Sequence, residues 1–474
     1  MRFDPSHDTT LEVSGNLIVR GRLVMKPNRG VRHVLRFVDV DEDAFVGGGL
    51  DPIGSDAGLW VMGRGQLDIR GTPKQAWNRQ GKHRTWSRHD DLVVAPVRRG
   101  DFTARRFRRG SHVPRAGSHR AEVLNLTRNV RIEGTPGGRA HIFIRSHRPQ
   151  SIRYALLRYL GPRQGGGGSS ESVLGRYGLH FHHCHGGSRN SVVEGVVVRD
   201  CGGHAFVPHM SHGITFRSCI SYETFEAAYW WDEHDTTNDL LIDRCVAAGV
   251  HADPEIHGYR LAGFALGKGR RLRIRDCVAF GVIGNNPSAG YVWPEAPSGL
   301  WLFRNNLAHN NAVAGIFVWQ NVREPHVVRR FTAYRNGEAG IIHGAYFNAY
   351  HYKDLDLRDQ TNAIELHAAG RPDYRGHPQS WADVRAGRLW VVDHQLPGDG
   401  PVLFRDCTFT GGVVVDDGQQ EPGDLDFVNC GLAAADFDVG SMHTSTVVRV
   451  QRPNRTAFRI TSGGVDDISP FYPY

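Results

Sequence analysis

The sequence predicts an all-β chain wound as a right-handed parallel β-helix, and three observations carry that expectation. Short runs of Val, Ile, Leu and Phe, punctuated by Gly, Asn and Asp, fill the chain, and long amphipathic helical runs are missing. Glycine is abundant (57 of 474 residues) and methionine scarce (5), while 40% of residues are hydrophobic, which allows a sizeable core joined by many turns. The third observation is a repeat. VVVRDC (196–201), ITFRSC (214–219), LLIDRC (240–245), LRIRDC (272–277) and LWLFRNN (300–306) share alternating apolar residues followed by a polar corner and Cys or Asn. VVRRFTAY (327–334) is a weaker copy, and LDLRDQ (355–360), VLFRDC (402–407) and LDFVNC (425–430) continue the series. Units from 196 to 306 end 18 to 32 residues apart, within the range of repeat architectures.

The repeat suits one coil of a solenoid. Side chains of a short strand alternate inward and outward, the polar residue makes the corner, and the next Cys or Asn stacks on its counterpart one strand spacing away. A buried cysteine then acts as a small hydrophobe. The seven cysteines contain no CxxC pair, so a disulfide framework is not expected. A β-propeller is disfavoured because no regular four-strand blade recurs. Residues 119–440 are therefore expected to form a β-helix of the pectin-lyase-like kind. Residues 1–118 are expected to form a glycine-rich β domain with a basic loop, and 441–474 a cap or tail. GPRQGGGGSSESVLG (161–175) reads as a loop leaving one coil, because strand-like sequence resumes on both sides.

The net charge of +8 and pI of about 9.2 favour a polyanionic partner. The competing reading is an arginine-biased but ordinary solvated surface. RRGDFTARRFRRGSHVPRAGSHR (98–120) contributes eight arginines. No nucleic-acid-binding motif accompanies them, so an acidic polysaccharide is preferred to nucleic acid. MRFDPSHDTT lacks the apolar stretch of a secretory signal, and no run reaches the 18 residues of a membrane span. The location of the protein is left open, since a trimmed form would read the same. GxxxxGK[ST] and GxSxG are absent, which removes the P-loop and nucleophile-elbow classes.

Two stretches resemble the cell-migration-inducing hyaluronidases and their transmembrane relatives. HRAEVLNLTRNVRIEGTPGG (119–138) is similar to that family's RAEV segment. GRYGLHFHHCHGG (175–187) is similar to its GRYPIHFH motif at Gly175, Arg176, Tyr177, His180, Phe181 and His182, with Gly178 in place of proline. GNLIVRGRLVMKP (15–27) and GRGQLDIRGTPKQAWNR (63–79) resemble the family's opening glycine-rich domain, and the likeness runs over roughly residues 10–300. It implies a β-helix behind an N-terminal β domain, binding or cleavage of hyaluronan-type chains, and dependence on calcium. The shortage of cysteines and of a membrane span points to a microbial relative, whose substrate could be another acidic polysaccharide.

His180 and His182 share one strand face, so two imidazoles could hold a metal (Ca²⁺ or Zn²⁺) or bracket a sugar oxygen, with Phe181 pointing inward. The competing reading is a surface pair, or an inward pair bonding from coil to coil. His183 and His185 fall on the opposite alternation or past the strand end and are not assigned. In Tyr229-Trp230-Trp231-Asp232-Glu233-His234-Asp235, aromatic faces could stack on sugars while Asp232 and Glu233 serve as acid and base. Adjacent residues point opposite ways, so only a bulge or loop would bring both into one cleft. The competing reading is a polar loop over buried tryptophans. The expected catalytic residues are thus His180, His182, Asp232 and Glu233. The expected metal ligands are His180, His182 and Asp232. Arg176, Tyr177, His209, Trp230, Trp231 and Trp293 are expected to bind substrate. His204 and His212 are candidates for the same wall, though a satisfied turn histidine is the commoner fate. Tyr291, Glu295, Trp301 and Trp319 could extend the groove, unless they are buried between coils. The reading is a hydrolase or lyase acting on an acidic polysaccharide. The alternatives are a non-catalytic binding module and a structural β-helix.

Overall fold

A computed structural model describes residues 1–165, 171–230, 235–252, 261–284, 288–293, 300–318, 326–344, 350–358, 361–367, 372–373, 375–392, 401–416 and 424–471. The chain is a right-handed parallel β-helix of about 15 turns, with no α-helix among the described residues. Each coil contributes strands to three sheets, here called I, II and III in chain order. One coil runs through Leu179–His185 (sheet I), Val192–Glu194 (II) and Val197–Cys201 (III). The next runs through Phe206–Ser211, Thr215–Arg217 and Ile220–Phe225, each strand parallel to its predecessor.

The corner between sheets II and III is tight, and one residue turns it with positive φ. Ser218, Arg244, Asp276, Asn305 and Arg330 occupy it in successive coils with φ between 50° and 58°. That left-handed conformation is uncommon outside glycine, and Asn and Asp tolerate it best. The residue after the corner points inward and stacks. The Cys245 amide donates to Cys277 Sγ (3.3 Å), and the Cys277 amide donates to Asn306 Oδ1 (3.0 Å). All seven cysteines are buried and free. In the units ending at Cys219, Cys245, Cys277, Asn306, Cys407 and Cys430 the repeat is therefore a ladder lining the core, whereas VVVRDC (196–201) and LDLRDQ (355–360) fall on sheet III and are not rungs of it. In later coils, Tyr350–Arg358 and Ser380–Ala386 run through this corner as single strands.

The solenoid begins earlier than expected. Thr9–Ser14 pairs with His33–Val38, which pairs with Val130–Glu133, so one ladder crosses residue 118 without a break. Asn16–Val19 and Gly58–Gly63 start sheet I in the same way. Residues 1–70 are thus the first coils, not a separate glycine-rich domain. The segment that stands apart is 72–125, inserted at a II–III corner. Its small antiparallel sheet lays Trp86, Val93, Val94 and Leu124 on the outer surface of sheet III, against Val197, Ile220, Val246 and Phe280. Fully buried Glu122 pins this flap between Arg79 (2.7 Å) and His309 of sheet III (3.0 Å). Burial alone would raise its pKa, but the two partners hold the carboxyl down at about 2. At the other end, Val448–Gln451 joins sheet II and folds into antiparallel hairpins with Ala457–Thr461 and Gly464–Ile468, which close the last coil.

Candidate functional site

Sheet I narrows where the histidines gather. Its ladder is continuous to Phe206–Ser211, shrinks to single bridges through Tyr229, and widens again at Ala262–Ala265. His182 and His209 lie opposite one another on adjacent coils. Phe181 points into the core as alternation predicts, so His180 and His182 face outward.

The alternation then breaks. A bulge between His182 and His185 puts His183 at φ 48° and His185 at φ 47°. Such conformations cost on the order of 1 kcal/mol each and concentrate at functional sites. The bulge turns His183 back onto the outer side, where its ring stacks on His182 at 4.1 Å and meets His209 edge-on at 4.8 Å. Alternation alone placed it on the opposite side. Asp235, also unassigned from the sequence, reaches His209 Nε2 at 2.6 Å. Candidate ligand atoms of His180, His182 and His209 lie within 4.8 Å of one another, as do those of His183, His209 and Asp235.

Hydrogen bonding assigns the tautomers. His180 Nδ1 lies 2.9 Å from the Gly175 carbonyl, which can only accept, so that nitrogen carries the proton. His180 Nε2 is then an acceptor, and His182 Nδ1–H donates to it at 3.1 Å. This leaves a lone pair on His182 Nε2, a buried atom with no hydrogen-bond partner. A neutral imidazole oriented through its other nitrogen is the usual form of a histidine ligand. Burial, reinforced by His209 and His183, pushes the His182 pKa down to about 3, and burial likewise lowers His180 and His183. The lone pairs are therefore not taken up by protons near neutrality. Nitrogen donors of this kind suit a zinc-class ion, whereas calcium prefers oxygen.

The aromatic wall is partly as expected. Tyr177 touches His180 and His204, both at 5.0 Å, and Trp230 stacks on His204 at 4.1 Å. Glu226, not singled out in the sequence, lies 3.3 Å from His204 Nε2 and accepts from Ser172 Oγ. His204 also contacts the Ala227 carbonyl, and the Asn238 amide donates to His212 Nδ1, so both histidines have structural partners.

Two expected substrate ligands are displaced. Arg176 is fully buried beside the site. Its Nε meets Asp56 at 2.7 Å, its other nitrogens meet the Val46 and Gly49 carbonyls, and its guanidinium lies over Trp60. With these donors occupied and no exposed surface, it braces sheet I and does not meet substrate. Trp293 is inside the solenoid against Phe303 and Tyr350 and is 1% exposed, because its parity on the strand is inward. Tyr291 and Trp301 are likewise core. Trp231, Asp232 and Glu233 lie outside the described residues, as do Glu295 and Trp319.

No protein-family model matches the chain, and a search of curated proteins finds no significant relative. Among the described residues, no helix is long and apolar enough to cross a membrane.

Proposed function

We propose that the protein depolymerises an acidic polysaccharide of hyaluronan type at the histidine cluster on sheet I, with a divalent cation of the zinc class held there. The observation that carries this reading is the buried, unpartnered Nε2 of His182 beside the His183 and His209 rings, with Asp235 on His209. His183, His209 and Asp235, whose donor atoms lie within 4.8 Å of one another, would hold the ion, with the His182 Nε2 lone pair beside them. His180 would be a positioning residue, fixing the His182 ring through its own bond to Gly175. A bound ion would act as a Lewis acid, on the uronate carboxylate or on a water.

The chain's own residues supply the rest. Trp230 offers an aromatic edge for a sugar ring, while buried Tyr177 and His204 brace the indole. Arg176 and Asp56 pack beside the histidines on the outer face of sheet I, over Trp60 and Phe143, so that the outer histidines keep their geometry. The low pKa of His182 keeps it a ligand and not a proton donor.

Hyaluronan and polygalacturonate chain length, followed by viscosity and reducing ends, tests the reading. Chains should shorten with wild type and not with His182→Ala or His209→Ala. Unimpaired shortening by both variants would overturn the site. Near-ultraviolet absorbance of the product separates elimination, which leaves an unsaturated uronide, from hydrolysis.

A further inference from the structure

Sheet II carries a second feature that the histidine site does not use. The last outward residue of each sheet II strand forms one in-register column: Asp243, Arg275, Arg304, Arg329 and Lys353. Four consecutive rungs are basic. At a strand spacing of about 4.8 Å they span about 14 Å of the solenoid axis. Stacked like charges repel, so such a column is costly unless a counter-charge lies along it.

The column has little internal compensation. Asp243 is shared by Arg217, Arg244 and Arg275, at 3.3, 3.4 and 3.2 Å. Lys353 is 3.8 Å from Asp383. Arg304, Arg329 and the adjacent corner residue Arg330 are exposed and make no ion pair among the described residues. The next column holds half-buried Val327 and Leu302, which is 58% exposed, in register with each other. On the corner side, a cleft of about 950 Å³ opens between the flap and the turn residues, bordered by Arg120, Arg244, Asp276, Asn305 and Arg330.

We infer that this edge of the solenoid binds a linear anionic polysaccharide lengthwise, as a holding track distinct from the histidine cluster. The rungs supply evenly spaced guanidiniums for carboxylate or sulfate groups. Leu302 and Val327 supply an apolar strip for the faces of sugar rings. Asp276 and Asn305 accept hydrogen bonds from hydroxyls. That last feature favours a hydroxyl-rich polysaccharide over single-stranded DNA, whose backbone offers no hydroxyl donors to these acceptors. Single strands also need aromatic stacking platforms. Of the large aromatics at the cleft wall, Trp77 is tied by its indole N–H to the Arg244 carbonyl and Tyr154 by its hydroxyl to Glu194, so they form no row of successive platforms. The track rests on its own residues and stands whether or not the histidine site is catalytic.

The test is binding of fluorescent polygalacturonate and chondroitin sulfate oligosaccharides to the full chain in the presence of a chelator, with single-stranded DNA of equal charge as the contrast. The triple variant Arg304→Gln, Arg329→Gln, Arg330→Gln should weaken oligosaccharide binding roughly tenfold and flatten its salt dependence. The corresponding triple lysine variant should keep most of the affinity. The triple glutamine variant should still bind cobalt(II) as wild type does, which separates this track from the reading of the histidine site. Wild-type affinity in the triple glutamine variant would overturn the proposal, and so would tighter binding of the DNA than of either oligosaccharide at equal ionic strength.

Discussion

On sheet I, His182 and His209 sit in register one coil apart, and burial strips charge from His182. On sheet II, Arg304 and Arg329 also sit in register one coil apart, yet they project into water. The stacking rule is the same on both sheets. The surroundings differ. The histidines are backed by Tyr177, Trp230 and the Arg176–Asp56 pair, whereas the arginines have nothing over them among the described residues. A parallel solenoid repeats whatever a strand presents, so a column becomes a ligand cage or a charged rail according to what covers it.

The contrast can be broken most severely at the histidines. His209→Ala should lower turnover of hyaluronan-type chains at least about 100-fold, and His180→Ala should weaken metal affinity roughly 10- to 100-fold by releasing the His182 ring. Oligosaccharide affinity in chelator should not change in either variant. Metal titration and steady-state rates read both effects.

Trp293 and Arg176 sharpen the comparison, because both were expected to touch substrate and both are buried. Trp293→Ala should cost about 3–5 kcal/mol of stability by opening a cavity between coils. Arg176→Ala should cost a similar amount, about 3–5 kcal/mol, by leaving Asp56 buried and unpaired. Replacing both partners (Arg176→Met with Asp56→Leu) should recover much of that loss. Denaturant melts give the values.

Acid should act strongly on the buried histidines. Burial lowers His326 and His343 from 6.5 to about 3. The unfolded chain therefore binds protons that the folded chain refuses. Their contribution is fully present above the unfolded value of 6.5 and is lost as pH falls toward about 3. Each should remove about 1.4 kcal/mol per pH unit within that window. His343→Phe should shallow the slope in a pH series of melts. The smallest effect belongs to the exposed column, where Arg329→Gln should change stability by less than about 0.5 kcal/mol.

The polar-Cys repeat made the central coils legible, because the units on sheet II record a corner and the residue that stacks after it, although VVVRDC and LDLRDQ share the pattern on sheet III. The first coils were not legible in the same way. They lack the cysteine ladder, and the flap at 72–125 separates strands that are neighbours in space. At the site, simple alternation put His180 and His182 on one strand face but left open which side that face occupies, and His209 was only a candidate for the same wall. It could not place His183, whose positive φ reverses its direction, nor Trp293, whose parity depends on where its strand begins. Arg176 matched a motif, but its partner Asp56 lies 120 residues earlier, a distance no local pattern spans.

Cobalt(II) titration of the full chain, followed by its visible absorption, measures the central claim most directly. The account predicts one tightly held ion per chain, with the intense bands of a low-coordinate nitrogen- and oxygen-ligated site, and their loss in His182→Ala and His209→Ala. Absence of stoichiometric binding, or an unchanged spectrum in both variants, would contradict it.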